Sequence, residues 1–225
     1  MLEDLSHWTP RPRPERIVQE GRFVRIEPLD PARHLDGLFQ ETAVVDTEAD
    51  RRFTWLFETP PASREALGQW LEKVAASPDP LFFALVDKAS GRVAGRQSLM
   101  RIDTNFGVIE IGNIYWGPTI ARRAAATEAL YLAARHVFDD LGYRRFEWKC
   151  NNLNEPSKKA ALRFGFAHEG VFRQHMVVKG LNRDTAWFAM IDKDWPALRA
   201  GYEAWLAPEN FDAEGRQKRR LEDCR

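Results

Sequence analysis

The clearest pattern of apolar positions lies between residues 107 and 141. It begins with the run Val108 to Trp116 (VIEIGNIYW), which is rich in Ile, Val and Tyr and therefore predicts a buried strand. Gly117 and Pro118 end the run, because proline lacks the amide hydrogen that a strand interior requires. The next segment, 122–141, repeats apolar residues at helical spacing and predicts a helix with one stripe facing a sheet: Ala126, Leu130, Ala133, Val137 and Leu141.

A strand that turns directly into a helix leaves amide hydrogens unpaired at the helix start. Together with the helix dipole, these donors favour the binding of a phosphate group. The segment 107–141 therefore predicts an enzyme whose cofactor carries phosphate.

The other periodic segments predict further strands and helices in a mixed order. Strands are predicted over Arg22 to Leu29, Leu81 to Asp87, Val93 to Ile102, Tyr143 to Cys150, Ala167 to Lys179 and Arg183 to Ile191. Helices are predicted after Asp30-Pro31, after the N-cap candidate Ser63, from Asn154 to Gly165, and over Trp195 to Leu206. Three strands joined by tight turns form an antiparallel meander, and helix 122–141 leads by a right-handed crossover to a parallel strand. These elements indicate one α+β domain over residues 21–206.

Two tails flank this predicted domain. Residues 1–20 alternate Pro10, Pro12 and Pro14 with arginines, which predicts an extended arm. Residues 207–225 are highly charged and predict a frayed end, with a basic cluster at Arg216, Lys218, Arg219 and Arg220.

Composition narrows the class of protein. The 225 residues include 33 Lys and Arg against 33 Asp and Glu, so no overall basic field favours nucleic acid. Cys150 and Cys224 lie far apart and suggest no disulfide framework, which together with the absence of a signal peptide predicts a cytoplasmic protein. No apolar run approaches the roughly 20 residues of a membrane span. The five histidines lack ligand spacing, so no metal site is predicted.

Four strings within this order of elements resemble the GCN5-related N-acetyltransferase (GNAT) superfamily. They are EIGNIYW at 110–116, ATEA at 126–129, NEPS at 154–157 with RFGF at 163–166, and EGVFR at 169–173. Within the superfamily the chain is similar to the branch of ribosomal-protein N-terminal acetyltransferases of the RimJ/RimL type. The resemblance implies the GNAT fold, a single mixed, mostly antiparallel splayed sheet flanked by helices.

The resemblance also implies acetyl-CoA as co-substrate, with its pantetheine arm in the gap between two diverging strands. The arm would contact the strand segment and the following helix start at Asn113, Ile114, Tyr115, Trp116, Asn154 and Ser157. The pyrophosphate would bind the turn formed by Arg122, Arg123, Ala124, Ala125 and Ala126. The family loop reads Gln/Arg-x-x-Gly-x-Gly/Ala, whereas this chain has Ala at the first position and Ala124 in place of the glycine. Arg122 and Arg123 supply positive charge there.

Acetyl transfer to an amine requires a base and an acid for the departing thiolate. Glu110 matches the glutamate that several superfamily members use as base, and its apolar neighbours would raise its pKa. The alternative is a solvent-facing glutamate on the polar side of the strand. Ser157 matches a serine placed to protonate the CoA sulfur or to bind pantetheine, and its alternative is a first-turn hydroxyl bonded to the Asn154 cap. The tyrosine of many superfamily members is absent, because Ala161 holds its position.

Other polar residues have two interpretations each. Glu169 and Arg173 line the acceptor cleft or form ion pairs on a solvated strand. His175 and Asp184 are either structural or catalytic. Cys150 is either a buried structural cysteine or the carrier of an acyl intermediate.

Three classes of function follow from these patterns. The first is an acyl-CoA-dependent N-acyltransferase that transfers acetyl directly, in a ternary complex, to an amine acceptor such as a protein N-terminus, a small amine or an antibiotic. The second, motivated by the altered loop, is a non-catalytic CoA-binding regulatory module. The third, a ribosome- or nucleic-acid-associated protein, would use Arg11, Arg13 and the 216–220 cluster, and the zero net charge disfavours it. The sequence leaves the oligomeric state open.

Overall fold

The computed structural model describes residues 4–43 and 51–225, which fold around one eight-stranded sheet. The strands are β1 Gln19–Glu20, β2 Val24–Pro28, β3 Leu81–Asp87, β4 Val93–Asp103, β5 Val108–Trp116, β6 Arg145–Asn151, β7 Ala167–Val178 and β8 Leu181–Ile191. Their order across the sheet is β1-β2-β3-β4-β5-β6-β8-β7, and each neighbouring pair is antiparallel except β5 and β6. The mixed, mostly antiparallel sheet with flanking helices confirms the predicted fold class.

The helices begin and end largely where the sequence signals place them. They are α1 Pro31–Thr42, α2 Arg64–Ala75, α3 Ala124–Arg135, α4 Glu155–Phe164 and α5 Trp195–Leu206. Asp30 and Ser63 cap α1 and α2 through their side chains, and Gly165 ends α4 with a φ of 95°. The predicted helix 122–141 differs, because α3 spans only Ala124–Arg135 and a π-helical turn, His136–Asp140, follows it. Among the described residues, no helix has the length and apolar character to cross a membrane.

Side-chain alternation in the strands determines which helices cover which face. Phe82 and Ala84 of β3 pack with α1 and α2 in a cluster that includes Leu38, Leu67 and Leu71. The alternate residues of β3 point to the opposite face of the sheet, which α3, α4 and α5 cover. The larger core on that face includes these strand residues: Leu81, Phe83, Leu85, Ile109, Ile111 and Phe146. Because successive strand residues alternate, Glu110 points to the face that α1 and α2 cover only in part.

The sheet opens between β5 and β6. These parallel strands pair only from Val108 with Arg145 to Ile111 with Trp148. Further along, β5 stays with β4 as far as Trp116, and β6 stays with β8 as far as Asn151. Within the described residues the two strands therefore diverge after Ile111, which is the V-shaped opening that the resemblance implies.

A buried carboxylate joins α3 to β2. Glu128 is 4% exposed and accepts hydrogen bonds from the backbone amides of Arg22, Phe23 and Val24 at 2.7, 2.6 and 2.9 Å. A side chain at Gly21 would collide with the Glu128 carboxylate, so glycine is required for this close approach. The contact fixes the start of β2 against the helix that follows the opening of the sheet.

Both ends of the chain pack against the domain. The segment before β1 is extended, and its Trp8 Nε1 and Arg13 Nη2 donate to the carbonyls of Asn105 and Pro78 at 2.7 and 2.6 Å. After α5, the turns Pro208–Asn210 and Leu221–Cys224 bury Leu221 completely. The prediction of a frayed C-terminal end is therefore wrong, because the charged segment carries apolar anchors. The division into arm, domain and tail stays a prediction, and residues 1–3 and 44–50 lie outside the described part.

Candidate functional site

A cavity of about 160 Å³ lies where β5 and β6 diverge. Its walls come from the ends of these two strands, from the start of α4, from β8 and from the segment 52–57. Five of the residues predicted for a site line it, namely Glu110, Asn113, Ile114, Asn154 and Ser157. The structure thus brings the strand residues and the helix start together across the opening.

A β-bulge at Asn113 accompanies the divergence. Ser98 pairs with Gly112 and Arg96 with Tyr115, so β5 has one residue more than β4 in this interval. Asn113 takes up the extra residue with a φ of 49°, and such a bulge bends and twists its strand. Its carbonyl accepts from Arg96 Nη1 at 2.6 Å and its Nδ2 donates to Ser98 Oγ at 3.0 Å. These bonds hold the bulge on β4, on the side away from β6.

Glu110 is buried at the inner end of the cavity, with 5% of its surface exposed. It is therefore not the solvent-facing side chain of the alternative interpretation. Its Oε2 accepts from Lys149 Nζ at 2.9 Å and lies 3.1 Å from Arg101 Nε. The other oxygen, Oε1, faces Gly112, where a β-carbon would lie 3.6 Å away. One carboxylate oxygen is thus held by cations while the other is directed along β5.

Burial raises the pKa of Glu110, and the attraction of Lys149 and Arg101 offsets only part of the rise. Lys149 is itself buried between Glu110 and Glu147, and its Nζ lies 2.6 Å from Glu147 Oε2. The same Nζ sits 3.8 Å from the ring centroid of Trp187. A carboxylate with a raised pKa at the inner end of a cavity is suited to accept a proton.

Ser157 and Asn154 occupy the start of α4, at the β6 side of the cavity. Asn154 Oδ1 accepts from the Ser157 amide at 3.2 Å, which makes Asn154 the N-cap that the sequence predicts. The Ser157 hydroxyl, however, accepts from Trp148 Nε1 at 2.9 Å, and no bond to Asn154 involves it. Because the oxygen is the acceptor in this bond, its own hydrogen is available for another partner. The Ser157 hydroxyl also interacts with Cys150, whose pKa is raised by burial.

Aromatic rings close the bottom of the opening. Trp116 of β5 and Trp148 of β6 make an edge contact with centroids 6.3 Å apart, and both pack on Phe164. Trp116 does not line the cavity and instead donates to Gln97 Oε1 at 3.2 Å. The Tyr115 side chain is also directed away, and its hydroxyl donates to the Glu41 carbonyl at 2.9 Å.

The turn predicted to bind pyrophosphate lies at the start of α3. Arg122 and Arg123 are exposed, Ala124 is half-buried, and Ala125 and Ala126 are buried. Within the described residues, no side chain caps α3. The left-handed conformation occurs at Arg122, with a φ of 63°, whereas Ala124 is helical. Glycine is therefore not needed at Ala124 for its conformation.

The remaining candidates fall into two groups. Cys150 and His175 line the cavity, and His175 Nδ1 lies 3.0 Å from Thr185 Oγ1. Glu169 instead bonds Arg145 Nη1 at 2.8 Å, and Asp184 accepts from the Gln174 amide at 2.7 Å, both at the surface. Arg173 is also exposed and does not line the cavity. In the described part of the chain, no cluster of three or more His, Cys, Asp or Glu could hold a metal.

The sequence analysis did not single out Arg101, Lys149 and Arg183, which line this cavity. Glu147 and Lys149 are two positions apart on β6, so the sequence already shows that these two side chains share a face of the strand, opposite Trp148. What the sequence lacks is the register that sets Glu147 beside Glu110.

The arrangement combines an opened strand edge, an uncapped helix start, a buried carboxylate with a raised pKa and a serine hydroxyl that lines the cavity. An extended chain with amides could lie along the opening, with phosphates at α3. The carboxylate and the hydroxyl would then flank the reacting group from β5 and α4.

Comparisons with known proteins agree with this arrangement. Residues 24–167 match the family model described as the acetyltransferase (GNAT) domain. A crystal structure of a GCN5-related N-acetyltransferase from Brucella melitensis is 63% identical, with 98% of this chain and 99% of that chain covered and a TM-score of 0.95. A probable GNAT-family acetyltransferase from Chromobacterium violaceum ATCC 12472 is 35% identical, with coverage of 88% and 97% and a TM-score of 0.79.

A more distant structure has a similar fold. It is from Vibrio cholerae, assigned as a ribosomal-protein-serine acetyltransferase, and is 18% identical, with coverage of 82% and 99% and a TM-score of 0.65. At this identity the likeness shows a shared fold. Among curated proteins, none matches the sequence.

Proposed function

This chain belongs to the GNAT acetyltransferase family, whose members use acetyl-CoA, and we propose that it transfers acetyl from acetyl-CoA to a primary amine by direct attack in a ternary complex. The observation that carries the proposal is the cavity at the divergence of β5 and β6, with Glu110 and Ser157 on its opposite walls. Placement near the ribosomal-protein N-terminal acetyltransferases is a finer proposal, supported by the four sequence strings and a shared fold. The two free cysteines suit a reducing, cytoplasmic setting.

The residues present fit acetyl-CoA. Asn113, Ile114 and Asn154 line the opening where an amide-bearing arm would lie, and the α3 start offers uncapped amides with Arg122 and Arg123 beside them. When bound, acetyl-CoA supplies an activated thioester carbonyl. The side chains of Tyr115 and Trp116 bond Glu41 and Gln97, so these two residues would contact acetyl-CoA through their backbone only.

The reaction joins the amine nitrogen to the carbonyl carbon and breaks the carbon–sulfur bond. Glu110, with its raised pKa, accepts the proton that the amine loses, directly or through one water. Ser157 passes its hydroxyl hydrogen to the departing sulfur and regains a proton from solvent, while Glu110 releases the amine's proton to solvent. The bond from Trp148 Nε1 uses one lone pair of Oγ and does not use that hydrogen. Lys149 and Arg101 hold Oε2 of Glu110, so Oε1 is the oxygen directed at the incoming amine.

The test of this function is the release of CoA from acetyl-CoA in the presence of small amines, peptides with free N-termini and aminated antibiotics. Acceptor-dependent release of free thiol, with the acetylated product seen by mass spectrometry, is the expected result. Binding of acetyl-CoA in calorimetry without turnover on any acceptor would instead support the regulatory module that the altered loop suggests.

Ser157→Ala is expected to lower kcat about tenfold, which is less than the roughly 10²–10⁴-fold of a full general acid, because water can also protonate the sulfur. The KM for acetyl-CoA should change little, because the Asn154 cap bonds the backbone amide of residue 157. Steady-state kinetics measures both constants. Ser90→Ala, in the exposed turn after β3, is the matched control, and an equal rate for both variants would exclude Ser157 from the reaction.

A further inference from the structure

Arg183 is a buried cation on the wall of the cavity. It belongs to β8, is 8% exposed and lines the cavity together with Glu110. Its Nε donates to Thr185 Oγ1 at 3.3 Å, and its guanidinium lies over Phe57, with Cζ 5.1 Å from the ring centroid. No carboxylate in the described part of the chain lies within ion-pair distance of it. Guanidinium carries five N–H donors, so most of the donors of this cavity-lining side chain have no hydrogen-bond partner among the described residues.

The carboxylates near Arg183 pair with other cations. Lys149 is engaged by two carboxylates, Glu110 and Glu147, and Arg101 pairs with the same Glu110. Glu147 also pairs with Arg145, and neither carboxylate pairs with Arg183, whose charge therefore has no direct counter-ion among the described residues. A buried charge is costly unless it is paired, so such a residue is normally found where an anion binds.

Arg183 lies on the face of the sheet opposite the start of α3. Thr185 pairs with Asn151 and Trp187 with Lys149, so Arg183, Thr185 and Trp187 share the face of Lys149 and Glu110. The start of α3 belongs instead to the opposite face, where the helix packs on Ile109 and Ile111. The phosphates of a co-substrate bound at α3 would therefore lie on the other side of the sheet from Arg183.

From this geometry we infer that the acceptor amine carries an anionic group, a carboxylate or a phosphate, which Arg183 binds while the amine is directed toward Glu110. The inference rests on the proposed acetyl transfer and names the chemical class of its acceptor. Arg183 would determine acceptor specificity, because a neutral amine in the cavity would leave the charge of Arg183 unpaired.

Matched pairs of acceptors test this inference. Ethanolamine is compared with O-phosphoethanolamine. The free amino acids glycine, β-alanine and γ-aminobutyrate are each compared with the corresponding amide. A Ser-Glu peptide amide is compared with a Ser-Gln peptide amide. The quantity measured is the ratio of kcat/KM for the charged member over the neutral member. The pair with the largest ratio separates carboxylate from phosphate as the source of the charge.

The native chain is expected to favour at least one charged member, and Arg183→Gln should lower that ratio by about 10- to 100-fold, as expected for loss of a charged hydrogen-bonded contact. Arg183→Lys should restore part of the ratio, because it keeps the charge without the planar fork. Arg173→Gln, an exposed arginine on the neighbouring strand β7, is the control and should keep the native ratio. Thermal unfolding of each variant confirms that it is folded.

The possible failures are distinguishable. Turnover that is equal for charged and neutral members, or a preference that Arg183→Gln leaves intact, overturns the inference while acetyl transfer stands. Absence of turnover on all acceptors counts against the proposed function, and calorimetry of the same pairs in the presence of CoA then tests Arg183 by itself. Tighter binding of the charged members that is lost in Arg183→Gln supports the inference, and equal binding overturns it.

Discussion

Replacing Glu110 by glutamine is expected to lower kcat by about 10²-fold or more, within the roughly 10²–10⁴-fold range of general base catalysis. Glutamine keeps the size of the side chain and can still accept one hydrogen bond, but it cannot take a proton from the attacking amine. The KM for acetyl-CoA should change little, because Glu110 lies on the face of the sheet opposite α3, at whose start the phosphates are proposed to bind. Stopped-flow or steady-state measurement of CoA release gives both constants.

Glu147→Gln is the matched control for this experiment. Glu147 pairs with the same Lys149 Nζ but does not line the cavity. If Glu110 acts as the base, the control should retain most of the native kcat. If both variants lose activity equally, the ion-pair network around Lys149 is responsible and the role of Glu110 as base is excluded.

The pH dependence of kcat follows from the same carboxylate. Burial raises the pKa of Glu110 above its ordinary value of 4.5, so the ionised base is lost as the pH falls through this raised pKa. The native enzyme should therefore lose turnover on the acid side at a higher pH than a solvated glutamate would allow. The pH profile of Glu110→Gln should lack this acidic fall in kcat. If kcat of the variant still falls at the same pH, another group causes the fall.

Replacing Glu128 by alanine is expected to lower the free energy of unfolding by about 2–6 kcal/mol. The buried Val24 amide would lose its acceptor, which costs roughly 1–3 kcal/mol, and the partly buried bonds of the Arg22 and Phe23 amides contribute about 0.5–1.5 kcal/mol each. For a chain of this size, a loss of 1 kcal/mol lowers Tm by about 2–4 °C, so a fall of about 4 °C or more is expected. Denaturant titration and calorimetry measure these quantities.

Glu128→Gln should be less destabilising, because its amide oxygen can still accept from one or two of the three donors. Glu72→Ala, at an exposed position of α2, controls for the change of a helical glutamate to alanine and should be nearly neutral. A Glu128→Ala variant as stable as this control would show that water replaces the carboxylate, and the contact would then contribute little to the fold.

The fold could be predicted in unusual detail because its signals are local. The run VIEIGNIYW gives β5 with the observed ends, and the caps Asp30, Ser63 and Asn154 place three helix starts. The errors occur where tertiary packing overrides local composition. Residues 207–225 look like a frayed end from their charge, yet Leu221 and Asn210 are buried against the domain.

The site was predicted only as far as the resemblance and single strands allow. Glu110, Asn154 and Ser157 occupy strings that can be recognised along the chain. Lys149 and Arg183 could not be found in the same way, because their meaning depends on the register of β5, β6 and β8, which no local pattern encodes. The backbone conformation of Arg122 could not be predicted either. This left-handed residue lies two positions before the position where the family loop has glycine.

The indole of Trp148, bonded to Ser157 and in edge contact with Trp116, gives the opening of the sheet its own optical reporter. Indole emission responds to the polarity and hydrogen bonding of its surroundings, so a molecule that enters between β5 and β6 should shift or quench it without any added dye. Comparison with Trp148→Phe would isolate this signal from the other seven tryptophans. Ligand titrations on unlabelled protein would then follow occupancy at the site in real time.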